Sequence, residues 1–283
     1  MSGRWRGQLL GARPDEGARK RRRAAGWFVA TCVSVFVVHL VGWQAAIDGR
    51  SALGSALFAA TLMGVLLAHE LGHWGFARWR GFRLSLPWFL PAPFLVGTLG
   101  AIIRVEERPG TRTDLAGLGV SGPLAGLVAI VAVLVVRSVV GAEGEASDWV
   151  LARPLLWWVV GWPLGHTAAP TPTDPLGFAA WIGCLVTAMN LLPFGQLDGG
   201  HVMGAVAPRW QRRVGWATTV GLLGLGLAWP PWALWAGTLH LMGASVPLHP
   251  KAADQALDRE GRALAALGGL AWLLCFTPVP TSW

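Results

Sequence analysis

Charge is scarce in this sequence. Asp, Glu, Lys and Arg make up 13% of its 283 residues, about half the share of a soluble domain, and that scarcity excludes a large water-facing domain. Tyrosine is absent and cysteine occurs three times. Cys32, Cys184 and Cys275 lie far apart in apolar segments with no CxxC pair, which excludes a cysteine metal cluster and an evident disulfide framework. Without tyrosine, anchoring at a bilayer surface falls to the 18 tryptophans, such as Trp157, Trp158, Trp229 and Trp232. An inverted repeat of the kind common in transporters is also missing.

Apolar sequence is abundant instead. Hydrophobic residues account for 53% of the chain, and several runs approach or exceed the roughly 20 residues that cross a bilayer. The net charge of +8 sits in loops and in Arg19–Arg23, "RKRRR". Such a run can bind nucleic acid, but this one directly precedes an apolar stretch. It therefore reads as a topology signal that keeps the N-terminus in the cytoplasm, with no nucleic-acid partner.

Residues 26–47 form an uncleaved first span, too long for a signal-peptide core. Asp48–Ser51 makes an outer turn, and a second span at 52–77 ends in "ARWRGFR", whose arginines mark the cytoplasmic side again. Arg83–Val105 is apolar but broken by Pro87, Pro91 and Pro93. It reads as a re-entrant extended hairpin, since irregular backbone at membrane depth must be buried in protein or line a wet cavity. A third span covers 115–140, with Gly119, Gly122, Ala125 and Gly126 offering small faces to neighbouring helices. Gly141–Asp148 lies outside.

Residues 149–165 lie along the outer interface, so the span at 176–197 runs inward; the basic "APRWQRR", Ala207–Arg213, supports that direction. Shorter apolar spans follow at 214–229 and 232–246, and a last apolar stretch at 263–277 is compatible with crossing or with lying flat. The expectation is an all-α polytopic membrane protein of about six to seven transmembrane helices, with a three-helix catalytic core and the extended segment after the second helix. Residues 1–25 form a basic cytoplasmic tail and 26–283 a single membrane-embedded domain, its catalytic core at about 52–208.

The second span carries "HELGH", His69 to His73. On a helix, residues four apart share a face, so His69 and His73 can place two imidazole nitrogens on one ion. HExxH on a helix is the arrangement that binds zinc and uses the glutamate, here Glu70, as general base. A catalytic zinc keeps three protein ligands and one open position. Asp198 in "MNLLPFGQLDGGH", Met189–His201, is the best third ligand. It follows a mostly apolar stretch at the cytoplasmic end of an inward span, where Pro193 breaks the helix and Gly199 and Gly200 let the chain turn. Helix capping or ion pairing is the plainer role for Asp198. Asn190 either bonds between helices or steadies the oxyanion of a substrate. His39, His166, His240, His249 and His201 read as packed or interfacial residues.

HELGH (His69–His73), SGPLAG (Ser121–Gly126) and NLLPFGQLDGG (Asn190–Gly200) together resemble the site-2 protease family of intramembrane zinc metalloproteases. "LPWFLPAP…GTLGA" is similar to the branch found in plant chloroplasts and cyanobacteria. The resemblance implies one Zn2+ held by His69, His73 and Asp198, Glu70 as catalytic base and Asn190 in the aspartate motif. It also implies single-span membrane proteins as substrates, a lipid bilayer as surroundings, and an inner (cell) membrane location with the active site toward the cytoplasm. No loop here approaches the 80-odd residues of the PDZ domain that many relatives insert. The alternative is a zinc-binding, non-proteolytic membrane scaffold. An intact Glu70 speaks against it, because a structural metal site needs no base. A metal transporter lacks further acidic or histidine pairs along the spans. The sequence carries no signal for oligomeric state.

Overall fold

Three apolar stretches make helices of membrane length. In a computed structural model that describes residues 14–43, 52–141, 150–164, 173–241, 250 and 255–282, these are Gly17–Gly42, Ala52–Arg80 and Arg112–Val140. The first belongs to α1, Pro14–Val38, continued by a π-helical turn at His39–Trp43. Proline at the start of α1 supplies a preset φ where no N–H bond is needed. The helix therefore begins well before residue 26, and Arg19–Arg23 lies on its first turns. The expected turn at 48–51, nearly all of the loop at 141–148, His166 and His249 lie outside the described residues.

α2, Ala52–Arg80, and α3, Arg112–Val140, are antiparallel neighbours and the centre of the molecule. Thr111 and Asp114 close the start of α3 as a capping box, and Gly141 ends it in the left-handed conformation. α2 and α3 approach to backbone contact: a Cβ on Gly72 would overlap the Ser121 carbonyl oxygen. The buried core joins Phe58, Leu62 and Met63 of α2, Ile130 and Leu134 of α3, and Phe178 of α5.

Between α2 and α3 the chain forms an antiparallel hairpin of β1, Trp88–Pro91, and β2, Thr98–Ile102, with Trp88 opposite Ile102. It packs on α1, where the Ser34 hydroxyl donates to the Ala92 carbonyl at 2.9 Å. Gly97, at φ 89°, sits on the backbone of Val35, which leaves no room for a side chain. The extended segment expected after the second helix is thus a hairpin lodged against the C-terminal half of α1.

After α3 come β3, Val150–Leu151, and α4, Leu155–Gly161, followed by a 3-10 turn at Trp162–Leu164. Seven helical residues rise about 10 Å, only a third of a bilayer's apolar thickness. α5, Pro175–Asn190, starts at Asp174, whose carboxylate accepts from Gly177 N–H and from the buried Arg137 Nε at 2.6 Å. It ends seven residues before the expected 197, because Pro193 and a tight turn intervene. α6, Asp198–Val206, is a separate nine-residue helix. α7, Gln211–Leu225, and α8, Pro231–Leu241, form a helical pair. α9, Arg259–Cys275, packs along α3 and ends near β4, Thr281–Ser282, which pairs with β3.

Side-chain bonds define one end of this bundle. Arg112, on the first turn of α3, donates to the Ala205 and Val206 carbonyls that close α6. Thr113 donates to Asp258, the N-cap of α9. Arg80, at the end of α2, bonds Asp114 at 2.6 Å and Glu260 at 3.3 Å. The end of α2, the starts of α3 and α9 and the end of α6 therefore share one level. His73 stands seven residues, about 10 Å, inside Arg80 along α2.

Candidate metal centre

Two helices and a loop bring three ligand-type side chains to one point. His69 and His73 are buried on the inner face of α2, one turn apart as their spacing requires. Asp198 is the first residue of α6, with its side chain 13% exposed. His69 Nε2 lies 3.2 Å from Asp198 Oδ2, His73 Nε2 lies 3.3 Å from Asp198 Oδ1, and the two Nε2 atoms are 3.2 Å apart. A tetrahedral ion with bonds of about 2.0–2.1 Å separates its ligand atoms by about 3.3–3.4 Å. The triangle matches one face of such a tetrahedron, and its two-nitrogen, one-oxygen donor set suits zinc. Among the described residues, His69, His73 and Asp198 are the group that can hold a metal ion.

The tautomer of His73 is set by its surroundings. Its Nδ1 lies 2.8 Å from the Leu118 carbonyl oxygen, which can only accept, so Nδ1 carries the proton and Nε2 offers a lone pair. Orienting an imidazole through its other nitrogen is the usual support for a metal-ligating histidine.

Glycines make the space. A Cβ on Gly122 of α3 would overlap His73 Nε2, whereas one on Gly126 would meet His69 at an ordinary 3.5 Å. The "SGPLAG" run thus does more than bring two helices together: one of its glycines stands directly against a ligand ring. Gly199 and Gly200 also act differently from expectation. Neither has a positive φ; the left-handed residue of the loop is Gly195, at φ 48°. A Cβ on Gly199 would overlap the Leu191 carbonyl, and one on Gly200 would come within 2.6 Å of the Phe194 oxygen. The pair lets α6 begin pressed against its own preceding loop, which is what carries Asp198 back to α2.

Glu70 is the next residue on α2, rotated about 100° from His69, and lies within electrostatic range of His69, His73 and Asp198. Asn190 is the last residue of α5, partly buried, and its amide makes no hydrogen bond among the described residues. Unlike Asp198, it is not drawn into the triangle. His201 is buried on α6, where its Cβ faces Gly119 of α3; its Nδ1 makes no hydrogen bond among the described residues. His39 bonds Ser55 at 3.0 Å and stacks on Phe58, a packed residue as expected. His240 likewise packs between Trp216 and Phe194 and contacts Thr219 at 3.1 Å.

Gln211 is the residue that sequence reasoning passed over. It is buried, and its Nε2 donates to the Gly200 carbonyl at 2.8 Å, pinning the first turn of α6 from α7. Its place inside the basic run "RWQRR" hid it, although a lone amide among arginines was a signal.

A helical chain with membrane-length helices and an HExxH helix completed by a distant aspartate belongs to the class of membrane-embedded metallopeptidases. The comparisons agree. Residues 57–225, more than half of the chain, match the model of peptidase family M50, and the chain belongs to that family. It is 31% identical over 234 residues to the probable zinc metalloprotease EGY1, chloroplastic, of Arabidopsis thaliana, covering 78% of this chain and 42% of that protein. It is also 31% identical over 188 residues to the probable zinc metalloprotease EGY2, chloroplastic, of the same plant, covering 62% and 32%. The corresponding EGY1 protein of Oryza sativa subsp. japonica is 31% identical over 201 residues, 67% and 34%. The chain thus spans less than half the length of these relatives.

Proposed function

We propose that this chain is an intramembrane zinc metallopeptidase that hydrolyses peptide bonds in or near the membrane-spanning segment of single-span substrates. The convergence of His69, His73 and Asp198, with Glu70 beside them, is the observation that carries this reading. Those three side chains would hold Zn2+, the metal named for the chloroplast relatives. When bound, zinc acidifies a water and polarises the scissile carbonyl.

Glu70 takes the proton of the attacking water and returns it to the leaving amine. Asp198 and the two imidazoles supply one negative charge between them, enough to hold the ion while leaving it electrophilic. The Asn190 amide, which makes no hydrogen bond among the described residues, donates to the substrate oxygen where negative charge develops. A helical substrate hides its carbonyls in its own hydrogen bonds and must unwind before attack. Among the described residues the outer edge of β2 bonds to no strand, which leaves it available for strand addition.

In this reading α1, α2, α3, α5, α7, α8 and α9 cross the bilayer, while α4 and α6 do not. The arginine-rich end of the bundle, with Arg80, Arg112 and Arg213, faces the cytoplasm of a cell (inner) membrane. Supporting this are the three membrane-length helices and the shared level of the ends of α2, α3, α6 and α9.

The test is cleavage of a panel of single-span substrates by the purified chain, with bound metal measured in parallel. Glu70→Gln retains zinc and loses cleavage by at least about a hundredfold, the scale of a general-base contribution. His69→Ala loses both. A Glu70→Gln variant that still cleaves overturns the assignment. Zinc bound by the unsubstituted chain without cleavage of any substrate favours the scaffold.

A further inference from the structure

Arginines in this structure differ in how far their charge is paired. Arg80, Arg112 and Arg137 all spend their guanidinium groups on carboxylates or helix-end carbonyls. Arg209, Arg212 and Arg213 are exposed and pair with no carboxylate or carbonyl among the described residues. They crowd into five positions at the corner between α6 and α7, at the arginine-rich end of the bundle.

The spacing of these three residues is informative. Trp210 already has right-handed helical dihedrals, so the helical sense of α7 extends back to the corner. Arg209, Arg212 and Arg213 then fall at i, i+3 and i+4, and Trp216, Val220 and Leu223 continue the same face at i+7, i+11 and i+14. These last three are 57%, 65% and 49% exposed. The face therefore begins with three unpaired cations and continues as an uncovered apolar stripe. The Arg213 guanidinium lies 5.0 Å from the ring centre of Trp210, which orients it at the corner.

We infer that this face of α7 is a binding site for an anionic phospholipid of the cytoplasmic leaflet. The phosphate and any further headgroup charge meet Arg209, Arg212 and Arg213, whose planar forks suit phosphate oxygens. One acyl chain lies along Trp216, Val220 and Leu223. A nucleic acid satisfies the cations but leaves the apolar stripe uncovered, and a zwitterionic lipid covers the stripe but returns a positive charge to the arginines. Only an acidic lipid answers both halves. The site also touches the metal centre indirectly. Gln211, inside the arginine cluster but buried, holds the Gly200 carbonyl two residues from Asp198, so an occupied corner steadies the start of α6.

The inference rests on the membrane-embedded reading above but not on proteolysis, and it is tested in the Glu70→Gln chain so that cleavage plays no part. The full chain in detergent is offered equal phosphatidylglycerol and phosphatidylcholine, and retained lipids are counted by native mass spectrometry. Each arginine near an anionic headgroup contributes roughly a fivefold preference. The chain with its corner intact should therefore retain phosphatidylglycerol over phosphatidylcholine by at least about tenfold.

The R209Q/R212Q/R213Q variant should lose that preference. R209K/R212K/R213K should keep a reduced preference, because the charges remain while the planar forks are lost. R21Q/R22Q/R23Q, with the same loss of charge on α1, should leave it unchanged, and excess inorganic phosphate should not displace the lipid. Equal retention of both lipids by the chain with its corner intact overturns the proposal. So does loss of the preference in the lysine variant, an equal loss in the α1 variant, or displacement by inorganic phosphate.

Discussion

His73 is held from three directions, and each contact sets a different property of the site. α2 fixes its height, the Leu118 carbonyl fixes its tautomer, and Gly122 gives its ring room. Gly122→Ala should therefore weaken zinc retention by about 10- to 100-fold, the range seen when the support of a metal ligand is lost. Gly126→Ala should leave retention unchanged, because the added methyl meets His69 at van der Waals distance. Metal content after titration with a chelator separates the two variants. At this scale the sequence was legible where the chemistry is local. His69, Glu70 and His73 were visible through helical spacing, and Asp198 through the rarity of a carboxylate in apolar company. Gly122 and Gln211 were not, since their importance lies in what another helix places against them.

Among the elements, the hairpin is the one whose position depends on a single glycine. Gly97 combines a positive φ with backbone contact to Val35, so Gly97→Ala should detach β1–β2 from α1. In the proposed mechanism this variant keeps its zinc but cleaves substrates at least about tenfold more slowly, because effective positioning of the substrate is lost. Equal cleavage by the variant and the unsubstituted chain would remove the hairpin from substrate binding. The start of α9 gives a pH prediction. Asp258 is held below the usual carboxylate range by the Gly261 N–H and then by the Thr113 hydroxyl. Its folded pKa is thus lower than its unfolded one, so its contribution is full above about pH 4 and disappears as pH falls below it. Asp258→Asn should lower the thermal midpoint relative to the unsubstituted chain at pH 7, and the difference should shrink as pH falls below about 4.

Element boundaries were less legible than element identities. The sequence indicated α2 and α3 to within three residues, because their apolar runs end in arginines or in the Thr111–Asp114 cap. It placed the end of α5 too late, since "LLPFG" stays apolar while Pro193 and Gly195 turn the chain. Hydropathy registers the apolar character but not the turn. It also set the start of α1 too late, because the charged Arg19–Arg23 run reads as tail although its residues are good helix formers.

Over the whole molecule, a pair of histidines from early in the chain meets an aspartate from 125 positions beyond His73, and that meeting depends on α3 lying between them. Among the described residues three helices have membrane length; α5, at 16 residues, is shorter than hydropathy alone suggested, and α9, at 17, is slightly longer. α9 starts beside Arg80 and Thr113 at one end and finishes near β3 and β4 at the other, so it runs the height of the bundle. The central claim is that position 198 binds the metal. X-ray absorption at the zinc edge of the Asp198→Cys variant tests it most directly. The account predicts one sulfur neighbour at about 2.3 Å beside two imidazole nitrogens at about 2.0–2.1 Å. A zinc-loaded variant whose spectrum shows no sulfur neighbour would contradict it.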